Sequence, residues 1–99
     1  MLGVDELLAH GEALLARGDA LDAVEIFAEV YSAAVSAGNP AVAARAMLGR
    51  AQAEFAMRRL AIAAEHAANA WESLTALGLP DARHAADLLV QIDHNRYLA

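Results

Sequence analysis

Shifted by 40 residues, this sequence overlies itself, and that self-match limits the fold more than any other feature. Under the shift Ala23 falls on Ala63, Glu25 on Glu65, Ala28 on Ala68, Tyr31 on Trp71, Gly38 on Gly78 and Pro40 on Pro80. Upstream, Leu8 falls on Leu48 and Ala13 on Ala53; downstream and more weakly, Ala46 falls on Ala86 and Leu48 on Leu88. A period of about 20–50 residues marks architectures in which each unit is too small to bury its own apolar face and stacks on its neighbours instead. Such proteins usually hold partners rather than transform substrates.

The unit is helical. The chain has 99 residues, enough for one domain, and much of its 59% apolar content is alanine, the best helix former and a poor strand former. Glycine and proline punctuate five amphipathic stretches. The first, about residues 4–17, places Val4, Leu7, Leu8, Gly11, Leu14 and Leu15 on one stripe and ends at Gly18. Asp19 then stands where a helix is capped, with Asp22 three residues on. The second, about 20–37, directs Ala23, Val24, Phe27, Val30, Tyr31 and Ala34 inward and Asp22, Glu25 and Glu29 outward. Gly38 stops it, Asn39 is placed to cap, and Pro40 stands at the first helical position, where its missing N–H costs nothing. The third, about 40–57, has Ala44, Met47, Leu48, Ala51 and Phe55 as its inward stripe; the fourth, about 60–77, has Leu60, Ala63, Ala64, Ala67, Trp71 and Leu74. The fifth, about 81–97, follows a second glycine–proline stop, Gly78-Leu79-Pro80, and buries Ala85, Leu88, Leu89 and Ile92.

Between the third and fourth stretches lies Met57-Arg58-Arg59, with no glycine, proline or capping residue. Punctuation alone allows one continuous helix over 40–77. Phase does not: the mean direction of the apolar stripe jumps by roughly 150° there, and a straight helix cannot bury both faces on one side. The sequence therefore predicts a turn near 57–60 and an antiparallel pair.

The pattern resembles the tetratricopeptide repeat. Small residues recur where paired helices approach, Gly11 and Ala51 in the first helix of each unit and Ala23 and Ala63 in the second. Gly18-Asp19, Ala23, Phe27 and Pro40 match the family's helix-turn-helix pattern; in the second unit Arg58-Arg59 replaces the Gly-Asp turn and Ala67 replaces Phe27. Units of that family are typically about 34 residues, so a 40-residue period is similar to its long-helix variety in bacterial regulatory and signalling proteins. HEAT-type helix pairs have about this length too. The resemblance implies an all-α, right-handed stack of two hairpins, about 1–39 and 40–79, with a capping helix over 80–97. It also implies a non-enzymatic protein- or peptide-binding module using the groove lined by the first helix of each pair.

Asp5, Glu12, Arg45, Gln52, Phe55 and Arg59 are the candidate groove residues. Arg45, Gln52 and Arg59 are spaced seven apart on one stripe, suited to an acidic or carboxylate-ended peptide. The alternative is that Asp5–Arg45 and Asp19–Arg59 are ion pairs between units, worth about 0–1 kcal/mol each. A rival function is self-assembly, with the helical surfaces serving homo-oligomerisation only; Ala86, Val90 and Tyr97 form a partial apolar strip on the fifth helix that a homodimer would cover.

The net charge of −6 argues against nucleic acid, whose phosphates need a positive surface. It is unevenly spread: residues 1–39 are acidic, whereas Arg45, Arg50, Arg58 and Arg59 crowd residues 40–59. With no cysteine there is neither disulfide nor thiolate chemistry. No basic segment leads an apolar run, and no apolar run reaches the ~18–20 residues of a membrane span, so the expected setting is cytoplasmic, with no membrane partner. His84 and His94 would lie ~15 Å apart along one helix, too far to share an ion, so no metal or other cofactor is expected. Tyr31 and Trp71 occupy equivalent inward positions and read as core.

Overall fold

The computed structural model describes residues 2–98 and consists of five α-helices, with no strand among the described residues. They are α1 (Val4–Ala16), α2 (Ala20–Ser36), α3 (Pro40–Ala56), α4 (Leu60–Ala76) and α5 (Ala82–Leu98). None is long and apolar enough to cross a membrane.

The period is visible in three dimensions. α2 and α4 are each 17 residues long and start 40 residues apart. Residues 21–30 and 61–70 share one burial pattern, position for position. Four helix ends are built alike. After α1, the Gly18 N–H bonds the Leu15 carbonyl and the Asp19 N–H that of Leu14, and the same paired bonds recur at Gly38-Asn39, Arg58-Arg59 and Gly78-Leu79. This double bond satisfies carbonyls that the last helical turn leaves open, and it needs a left-handed residue at its centre. Gly18, Gly38 and Gly78 supply it, at φ of 87°, 69° and 69°. The third turn falls where the phase jump predicted it, and there Arg58 takes the glycine conformation at φ 62°.

Starts are less uniform. The Asn39 side chain accepts a bond from the Val42 N–H, capping α3 with Pro40 just inside. Asp19 makes no such bond, because its carboxylate accepts from the Arg17 guanidinium at 3.1–3.2 Å instead. Pro80 and Asp81 form a turn ahead of α5, bridged by i→i−3 bonds such as Arg83 N–H to the Pro80 carbonyl at 3.2 Å.

Sequential helices pack on one another, and α1 and α5 each also approach α3. α3 is thus the hub, buried on more than the single stripe that periodicity assigns it. Val42, Ala43, Ala46 and Ala53 join Phe27, Val30 and Leu14 in one apolar cluster. Ala44, Met47, Leu48 and Ala51 join Ala63, Leu74, Leu88 and Ile92 in another. Alanine makes this closeness affordable in space, since it keeps neighbouring backbones near without a large side chain between them.

At the centre of the first cluster Phe27 is fully buried, with its ring tip against α1 and α3 where both carry glycine. A Cβ at Gly11 would stand 2.8 Å from the ring, and one at Gly49 closer still. The second unit fills the same space differently. Ala67 replaces Phe27, and Leu89, one period beyond Gly49, packs against the second cluster.

Candidate functional site

α2 and α4 both pack on α3, yet among the described residues no Cα of one comes within 8 Å of the other. Between them lies an open cleft of about 460 Å³. Tyr31 and Val35 form its α2 wall, Ala43, Ala44 and Met47 its floor, and Asn69, Ser73 and Leu77 its α4 side. Tyr31, Val35 and Leu77 are all exposed there.

Tyr31 and Trp71 therefore depart from the expectation that they are core residues: they are 36% and 42% exposed. The reason is angular. At about 100° per residue, Tyr31 lies roughly 70° from the mean direction of Ala23, Phe27, Val30 and Ala34, off the buried arc and on its flank. That offset is the sign, legible in the sequence, that the two stand off the core rather than in it.

On the other side of α3 lies a smaller cavity of about 310 Å³, lined by Glu12 of α1, Arg45, Leu48, Gly49 and Gln52 of α3, and Asp81 and His84 at the start of α5. Three of the six groove candidates, Glu12, Arg45 and Gln52, meet here. Asp5, Phe55 and Arg59 do not: Asp5 and Arg59 are exposed elsewhere, and Phe55 packs half-buried against the second apolar cluster. Neither expected inter-unit ion pair forms. Arg45 Nε donates to Asp81 at 3.2 Å, across 36 residues, while Asp19 pairs with Arg17. The cation meant for an acidic peptide is thus already matched by a carboxylate, with a second carboxylate, Glu12, on the same wall.

Among the described residues, one charged side chain is deeply buried. The Glu54 side chain is 2% exposed, accepts from Arg50 Nε at 3.2 Å, and lies 2.7 Å from His66 Nδ1. It ties the end of α3 to the start of α4, beside the turn that lacks a glycine. Periodicity gave no sign of it, since Glu54 and His66 are 12 residues apart and on different helices. Across the same turn, Arg58 Nη1 donates to Asn95 Oδ1 of α5 at 2.7 Å.

On α5, Val90 and Tyr97 are exposed, at 69% and 95%, and Ala86 is half-buried beside them. His84, Asp87, Gln91 and His94 are exposed on an adjoining face. No group of three or more metal-ligating side chains is assembled among the described residues. No family model, curated protein or solved structure matches the chain.

Proposed function

We propose that this protein is a non-enzymatic module that binds protein or peptide segments, built as a tetratricopeptide-like stack of two hairpins closed by α5. The repeated turns and the matching burial of α2 and α4 support the repeat reading. α5 suits a closing role because positions 84 and 87 hold His and Asp where α3 has Ala44 and Met47, which pack in the α4 cluster, one period earlier. A further helix would find a polar face there, whereas α3 offers α4 an apolar one.

The observation that carries the binding reading is the open cleft between α2 and α4. It combines exposed aromatic and aliphatic side chains with a methionine on its floor and two amide or hydroxyl groups, Asn69 and Ser73, on its wall. That mixture is the usual make-up of a protein-binding surface, apolar area for affinity and a few polar groups for orientation. The α1/α3/α5 cavity is the rival seat, being polar and internally charge-matched.

Selection from a random peptide display library tests the reading and separates the two seats. Peptides enriched on the protein are expected to be lost on a Val35→Glu/Leu77→Glu variant and kept by Arg45→Ala/Gln52→Ala. The reverse pattern moves the site to the cavity of the odd-numbered helices, and no enrichment at all counts against a binding function. The second reading, homodimerisation through α5, is favoured by the exposure of Val90 and Tyr97 on one stripe.

A further inference from the structure

The cleft sits in an electrostatic setting that fixes the kind of partner it suits. α2 and α4 carry Asp22, Glu25, Glu29, Glu65 and Glu72, all exposed, and neither helix holds an arginine or a lysine. All seven arginines lie on α3, on α5 or in the turns. The two on α3 are engaged, Arg45 with Asp81 and Arg50 with Glu54. At about 100° per residue, Glu65 and Glu72 fall on the ridge of α4 opposite Ala63, Ala67, Ala70 and Leu74. They stand next to the wall that Asn69, Ser73 and Leu77 form. Glu25, the equivalent of Glu65 one period earlier, takes the same outward place on α2. The apolar trough is therefore lined along its α4 wall by two carboxylates, Glu65 four residues before Asn69 and Glu72 four before Ala76, while Glu25 lies on the outward ridge of α2, away from Tyr31 and Val35.

We propose that this cleft takes the apolar face of a cationic amphipathic helix from a partner protein. The proposal rests on the cleft being the binding surface and adds the chemistry of the occupant. A rod-shaped occupant suits a trough whose two walls are helices held apart over the common floor of α3. Its apolar residues, spaced i, i+3/i+4, i+7, meet Tyr31, Val35, Met47 and Leu77, and its lysines or arginines meet Glu65 and Glu72 along the α4 wall. The same charges exclude other occupants. A second copy docked by two-fold symmetry through this face brings carboxylates against carboxylates, and nucleic acid or an anionic membrane is repelled.

Three synthetic helices of about 18 residues, sharing one leucine stripe and carrying Lys, Gln or Glu at the flanking positions, test the proposal by fluorescence anisotropy. The Lys peptide is expected to bind at least about tenfold more tightly than the Gln peptide at low salt, an advantage that added salt erodes. A Glu65→Gln/Glu72→Gln variant is expected to lose that advantage and keep its affinity for the Gln peptide. The altered residues are exposed, and circular dichroism confirms that each variant keeps its helices. Equal binding of the Lys and Gln peptides to the unaltered protein overturns the charge assignment while leaving the cleft as a site. Binding of none of the three, or Lys-peptide binding unmoved by Val35→Glu/Leu77→Glu, overturns the cleft itself.

Discussion

Phe27 has the environment most sensitive to a single atom. Gly49 lies inside a helix, where alanine would ordinarily be better by about 0.5–1 kcal/mol. Here the added methyl runs into a fully buried ring that Gly11 also crowds, and overpacking of this kind costs about 1–3 kcal/mol. Gly49→Ala is therefore expected to destabilise the protein by about 1–2 kcal/mol in urea denaturation. Combining it with Phe27→Leu should cost less than the sum of the two changes, because the smaller side chain vacates the contested space. An additive pair, or a stabilised single variant, would show that the ring has room to move. Glu54 is the other residue that neighbours decide: a carboxylate this buried persists only with partners, and Arg50 and His66 provide them from two helices.

Among the elements, the turn between α3 and α4 departs most from its sequence. Its backbone repeats the other three turns, bond for bond, with Arg58 in a conformation that costs a non-glycine residue about 1–2 kcal/mol. The compensations come from the tie of Glu54 to His66 and the exposed Arg58–Asn95 bond. Arg58→Gly relieves the backbone and gives up only the exposed bond. The expected outcome is a rise in the thermal midpoint, at most about 4–8 °C for ~1 kcal/mol in a domain of this size. A fall instead would mean that the link to α5 outweighs the backbone strain. The turn was legible in the sequence through the phase of Leu48, Ala51, Ala63 and Ala67, not through turn residues, whereas Asp19 looked like a cap and is drawn aside by Arg17.

At the scale of the whole molecule, two helical faces differ in what they leave uncovered. The α2/α4 side presents an apolar trough with Glu65 and Glu72 along its α4 wall, whereas α5 presents Val90 and Tyr97 on one stripe. An isologous contact through that stripe covers both copies at once. Sedimentation analysis at high protein concentration is expected to show a homodimer that Val90→Glu/Tyr97→Glu returns to monomer. A monomer from the outset removes the dimer, and a dimer indifferent to both changes belongs to another surface.

The sequence by itself determined where each helix runs and how often the unit recurs. Those features are local: a glycine that accepts positive φ, a proline that forgoes its N–H, an asparagine that caps, and a stripe whose phase survives or breaks. Tertiary structure alone decided what the side chains on a helix's flank meet. Tyr31 and Trp71 share their helices' apolar flank with residues that are buried, and only the separation of α2 from α4 leaves Tyr31 in an open trough. It likewise gave Arg45 to Asp81 rather than to Asp5, and set Phe27 against two glycines on two other helices. Periodicity gives the direction in which a side chain leaves its own helix. What it meets there depends on the width and placement of neighbours drawn from elsewhere in the chain.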